Sequence, residues 1–178
     1  MKMYGNPIPP EKATGALKEL YDEIAQKFCA VAVHFQLHAT YALEDMKCFM
    51  DPMKMTRDHP EIPLIWFALL RLYVASKEQY PYCIALNTRM LHTLEVDDEK
   101  IAVYLEDVSN APLEKPLVLL LEKALKSIYD SHHFNESDFE ALYEAGFSDK
   151  TLYEVIVYAT QFSGIAKRLN TYLVKEQG

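Results

Sequence analysis

Three residues in the middle of the chain have the types and spacing for sulfur chemistry. In EQYPYCIALN, residues 78–87, Cys83 follows Tyr80 by three positions and precedes Asn87 by four. In a helix that spacing puts all three on one face. Pro81 fits the first helical position, where its missing N–H costs nothing. Tyr80 is then the N-cap, and Cys83 lies in the first turn of a helix running to about Leu94. A thiol there feels the partial positive charge of the unpaired amide groups. That lowers its pKa and raises the fraction of thiolate, the form that attacks an O–O bond. The Tyr80 hydroxyl and the Asn87 amide could hold a peroxide or a carbonyl by hydrogen bonds, although neither takes a proton from a thiol as a histidine does. The competing reading makes Cys83 a small buried hydrophobe, as free cysteines often are. In a one-cysteine cycle the oxidised sulfur must be resolved by Cys29, by Cys48 or by an external thiol.

Other chemistries have weaker support in the sequence. His34 and His38 are four apart in VHFQLHAT, the spacing of a helical metal pair. No His-Glu-x-x-His pattern accompanies them, and a helix–helix contact or a pocket wall accounts for them better than a metal. His132 and His133 fall in an expected turn facing solvent. Most Asp and Glu residues sit on polar helix faces. The chain has no Gly-rich phosphate loop and no Gly-x-Ser-x-Gly elbow. No cofactor and no metal are expected.

Helices must position these groups. Apolar residues recur at helical spacing at Leu17, Leu20, Tyr21, Ile24 and Phe28. A second helix is expected over about 40–55, with Leu43, Met46, Phe49 and Met50 inward, ended by RDHPEIP. LIWFALLRLYVASKEQ is apolar almost all round and reads as the most buried helix. After the Cys83 helix come a short one following VDDEK and another through PLVLLLEKALKSIY. Near the end, Asn135 caps a helix stapled by Phe134 and Phe139 and closed by Gly146. Ser148 caps the last one, with Phe147 and Leu152 as its staple. No hairpin signal appears, so the expected class is all-α.

Composition bounds the rest. The 178 residues are half apolar and 12% aromatic with only five glycines, which suits a single helical domain with a sizeable core. A net charge of −8 with no basic stripe argues against nucleic acid. MKMYGNPIPPEK lacks the apolar core of a signal peptide, and IPLIWFALLRLYVA is too short for a bilayer and carries Arg71. Three cysteines fit a reducing cytoplasm better than a disulfide framework.

The order of these pieces resembles the alkylhydroperoxidase D-like and carboxymuconolactone decarboxylase superfamily, most closely its peroxidase-related branch. The resemblance rests on PIPPEKATGALKELYDEI, on the buried helix leading into YPYCIALNTRML, and on DFEALYEAGFSDKTLYEVIVYATQFSGIAKRLNTYL. It covers residues 7–173. Active members carry Cys-x-x-Cys at a helix start and a histidine four residues after the second cysteine. Cys83 falls on the second, attacking cysteine, Tyr80 on the first and Asn87 on the histidine. The family's relay glutamate falls on Ala68, with Glu61 and Glu78 off register. The resemblance implies a single alkylhydroperoxidase D-like helical bundle over 1–178, with 1–13 an extended arm. It also implies an antioxidant thiol peroxidase-like protein reducing hydroperoxides through Cys83 alone, served by an external thiol reductant and assembled as a cytoplasmic homo-oligomer. Lactone decarboxylation, the other family activity, finds no histidine base on this helix. The rival expectation is an oligomeric, non-catalytic binder of small molecules without the redox pair.

Overall fold

A computed structural model describes residues 3–28 and 30–173, without the side chains of Phe28 and residues 51–55. Cys29 and the inward placing of Phe28 therefore lie outside the described residues. Among these, the chain is helical, with one isolated bridge between Met3 and Leu173. The helices are α1 (Gly15–Phe28), α2 (Val33–Tyr41), α3 (Leu43–Arg57), α4 (Leu64–Lys77), α5 (Pro81–Thr93), α6 (Asp98–Glu106), α7 (Lys115–Tyr129), α8 (Glu136–Glu144) and α9 (Asp149–Tyr172). The all-α class is the one the helical spacing implies. Two local differences appear. Pro10–Lys12 is a 3₁₀ turn inside the stretch expected to be extended, with its proline at the first position. The helix expected over 40–55 starts at Leu43, because Ala42 leaves helical geometry (φ −148°, ψ 61°) and ends α2.

The chain forms two compact units, Met1–Met55 with Arg168–Gly178, and Thr56–Lys167. In the first, the Tyr21 hydroxyl donates to the Ile8 carbonyl at 2.9 Å. Asp45 accepts from Arg168 Nη1 at 2.7 Å, so the end of α9 is tied to α3.

The second unit is built around α4. Its residues Trp66 to Leu72, with Val74 and Ala75, are all buried, which is why its sequence shows no polar face. Two buried polar groups that pack on it find partners, as groups away from water generally do. Trp66 Nε1 donates to the Leu117 carbonyl at 2.9 Å, and the Tyr104 hydroxyl to the Leu69 carbonyl at 3.0 Å. The entry to α4 is fixed by His59, whose Nδ1 accepts from the amides of Glu61 and Ile62.

Three helix ends use one device. At the end of α4, the Tyr80 amide reaches back to Ala75 and the Gln79 amide to Ser76, with Gln79 at φ +52°. At the end of α5, Val96 bonds to Leu91 and Glu95 to His92, with Glu95 at φ +64°. At the end of α8, Phe147 bonds to Leu142 and Gly146 to Tyr143, with Gly146 at φ +94°. This pairing satisfies the last carbonyls and requires a left-handed residue, for which glycine is best. Only α8 supplies one. Gln79 and Glu95 hold the conformation against the Cβ penalty. The α4 turn leads directly into Tyr80 and so sets where α5 begins.

The start of α8 matches its sequence signature. Asn135 and Asp138 form a reciprocal capping box, and the rings of Phe134 and Phe139 lie 5.0 Å apart. Asp138 is buried and also takes Lys123 and Lys126, at 2.5 and 2.7 Å. Relieving one left-handed site tests the account of helix ends. Glu95→Gly is expected to raise the unfolding free energy by about 0.5–1 kcal/mol, read by urea denaturation, because a side-chain clash of this kind costs roughly 1 kcal/mol or more.

Candidate functional site at the start of α5

Pro81 opens α5 at its first position and Tyr80 is the N-cap, in extended geometry and with no side-chain cap bond. Cys83 is therefore in the first turn, as its sequence implies. It is a free thiol, half-buried, whereas Cys48 is a free thiol exposed on α3. The expectation of a lowered pKa is overturned. Burial pushes the Cys83 thiol up to about 12, against a smaller downward pull from the Arg71 guanidinium. Desolvation disfavours the charged form, and here it outweighs the helix terminus.

Tyr80 is fully buried. Burial drives its phenol well above the ordinary range, with the neighbouring Cys83 and Tyr82 adding to the effect. Asn87 is also buried, and both ends of its amide are committed. Its Oδ1 accepts from Arg71 Nε at 2.7 Å, and its Nδ2 donates to the Cys83 carbonyl at 2.7 Å. Asn87 thus acts as a strut between α4 and the backbone at Cys83.

Sequence reasoning missed the centre of this cluster. Arg71, on α4, is only 7% exposed. Besides Asn87 it donates from Nη1 to the Tyr158 hydroxyl of α9 at 2.8 Å and from Nη2 to Met90 Sδ of α5 at 3.1 Å. Among the described residues no carboxylate pairs with it. Cys83, Asn87 and Met90 recur at i, i+4 and i+7, one stripe of α5 turned toward α4. The signal available in the sequence was a single arginine inside an otherwise apolar helix, a placement rarely found without a partner.

The relay positions are occupied differently from an active pattern. Ala68 is buried and carries no acid. Glu61 accepts from the Thr151 hydroxyl at 2.8 Å, and Glu78 faces Lys167 at 3.5 Å. Among the described residues no histidine or carboxylate acts on the Cys83 sulfur.

The other candidates fall elsewhere. His34 and His38 share α2, and His34 is buried, its pKa pushed down to about 3 by burial and then by the charge of His38. His38 Nε2 is bonded to Asp45 at 2.8 Å. Asp130, His132 and His133 bring ligand atoms within 4.8 Å of one another in the turn after α7, and could hold a metal there. The same turn is already closed by a bond between His133 Nδ1 and Asp130 at 2.5 Å.

Solved structures share this arrangement of helices. The chain is similar to the crystal structure of an alkylhydroperoxidase AhpD core, an uncharacterized peroxidase-related protein from Ralstonia eutropha JMP134. The TM-score is 0.78 at 18% identity, over 96% of this chain and 90% of that one. It is also similar to an uncharacterized peroxidase-related protein from Silicibacter sp. TM1040, with a TM-score of 0.66 at 18% identity, over 93% and 82% of the two chains. No family model matches the sequence, and no curated protein does. The fold is therefore the alkylhydroperoxidase D-like helical fold. Among the described residues, no helix is long and apolar enough to cross a membrane.

The raised thiol pKa has a direct kinetic consequence. Only the thiolate reacts, so the rate of Cys83 modification by iodoacetamide should climb about tenfold per pH unit from pH 7 to 10 without levelling. Arg71→Met removes the charge that lowers the pKa, so it should slow the reaction throughout that range. Peptide-resolved mass spectrometry measures both. A plateau below pH 9 would contradict the stated environment of the sulfur.

Proposed function

We propose that this chain is a peroxidase-related member of the alkylhydroperoxidase D-like superfamily that binds a small molecule beside Cys83 and does not run a dithiol peroxidase cycle. One observation carries this reading. Where a proton relay would stand, Arg71, Asn87 and Tyr158 form a network of donors and neutral groups beside a thiol whose protonated form is favoured. None of the three takes the Cys83 proton at neutral pH. The position of a resolving cysteine is held by the fully buried Tyr80.

A second reading has its own support. The Arg71 charge lowers the Cys83 pKa and would stabilise an anionic sulfenate. A one-cysteine peroxidase would attack the hydroperoxide with the thiolate, form the S–O bond, and release the alcohol as the O–O bond breaks. An external thiol would then reduce the sulfur. The names of the two similar structures favour this reading, and either one suits a cytoplasmic homo-oligomer. The partly exposed apolar residues of α5, Tyr82, Ile84 and Leu86, would be a surface for self-association.

Treatment with one equivalent of a hydroperoxide, followed by dimedone trapping and mass spectrometry, separates them. The binding reading expects Cys83 to remain a free thiol, and peroxide consumption with dithiothreitol to be unchanged in Cys83→Ser. A dimedone adduct on Cys83, together with consumption lost in Cys83→Ser, would establish the peroxidase instead.

A further inference from the structure

An arginine taken out of water is normally paired, because leaving a guanidinium without a counter-charge costs several kcal/mol. Arg71 is 7% exposed, and its partners are an amide oxygen, a phenol and a thioether. All three are neutral. A guanidinium has five N–H donors. Three are used here, which leaves one on each terminal nitrogen, enough for a carboxylate gripped by the fork. Of the three partners, Met90 is the least demanding to displace. Thioether sulfur is a weak acceptor, its chain is flexible, and Met90 is half-buried whereas Asn87 and Tyr158 are buried.

The location of the charge adds a second constraint. Arg71 acts electrostatically on the Cys83 sulfur, and Asn87 ties its Nε to the carbonyl of that same residue. An anion held on the guanidinium therefore lies along the stripe of α5 that carries Cys83, Asn87 and Met90.

We propose that Arg71 is an anion receptor and that the ligand of the Cys83 site is a small molecule carrying a carboxylate, seated where Met90 now covers Nη2. This rests on the binding reading above and names its ligand class. It also gives Arg71, which pairs with no carboxylate among the described residues, a counter-ion from outside the chain.

A pair of thiol reagents tests the receptor directly. Iodoacetate and iodoacetamide react alike: sulfur forms a bond to the methylene carbon, iodide leaves, and the thiol proton goes to buffer. They differ in that iodoacetate carries a carboxylate beside the reacting carbon. The rate ratio of iodoacetate to iodoacetamide at Cys83, divided by that at exposed Cys48, cancels differences in thiol pKa. A charge-assisted contact predicts a quotient of about ten or more, collapsing toward one in Arg71→Met and partly kept in Arg71→Lys. Acetate should protect Cys83, and not Cys48, from iodoacetamide in the unmodified protein. That measurement decides the matter even if Arg71→Met fails to fold.

A quotient near one, a quotient unchanged in Arg71→Met, no alkylation of Cys83 by either reagent, or no protection by acetate would each overturn the receptor. Protection by inorganic phosphate and not by acetate would overturn the carboxylate assignment. The two proposals fail separately. Absence of anion preference leaves the silence of Cys83 toward peroxide standing, and oxidation of Cys83 by peroxide leaves the preference to be measured.

Discussion

The charge of Arg71 is buried where α4, α5 and α9 meet in the Thr56–Lys167 unit, and its desolvation is the cost that the rest of the site must answer. One guanidinium engages three elements: its own helix α4, α5 through Asn87 and Met90, and α9 through Tyr158. Tyr158 is itself held edge-on to Phe67, 5.1 Å away, and Phe67 packs edge-on to Trp66 at the same separation. The indole of Trp66 then reaches α7. A polar hub and an aromatic ladder are thus continuous. Apolar residues of similar volume would join the same helices without the desolvation cost, so fold stability alone gives no reason for a charge at this position.

The state of Cys83 follows from a comparison of magnitudes. A helix N-terminus contributes about 1 kcal/mol at an exposed site and up to about 2 kcal/mol at a partly buried one, which corresponds to roughly one and a half pKa units at most. Burial acts in the opposite direction and carries the thiol up to about 12 even with Arg71 nearby. Position in a first turn therefore does not by itself make a nucleophile. What an active sulfur also needs is a proton acceptor, and Asn87 serves here as a strut.

Local signals in the sequence were legible where a side chain acts on its own neighbourhood. Pro81 and Tyr80 marked the start of α5, and Asn135 with Phe134, Phe139 and Gly146 marked α8, because caps and staples are settled within a few residues. The left-handed ends at Gln79 and Glu95 were not marked, since the residue there is not glycine and the pairing alone imposes the geometry. The break at Ala42 carried no turn residue either. The site was legible only in part. Tyr80 was placed correctly as the N-cap, and Cys83 and Asn87 on α5, but their chemistry depends on burial and on partners far along the chain. Tyr158 lies 87 residues from Arg71, and no periodicity in α4 announces that contact. The family resemblance located the sulfur and the helix; the guanidinium beside them emerged only from the folded arrangement.

The central claim is that the Arg71 charge serves a ligand and is not needed to hold the fold. The most direct measurement is the unfolding free energy of Arg71→Met combined with Asn87→Leu and Tyr158→Phe, taken in buffer without carboxylates. The three changes remove the charge together with the buried amide and hydroxyl that it bonds, so neither partner is left orphaned. The account predicts a triple variant at least as stable as the parent, still helical by circular dichroism. A loss of about 3–5 kcal/mol, the scale of a broken buried ionic network, would show that the arginine is a structural tie and contradict the claim.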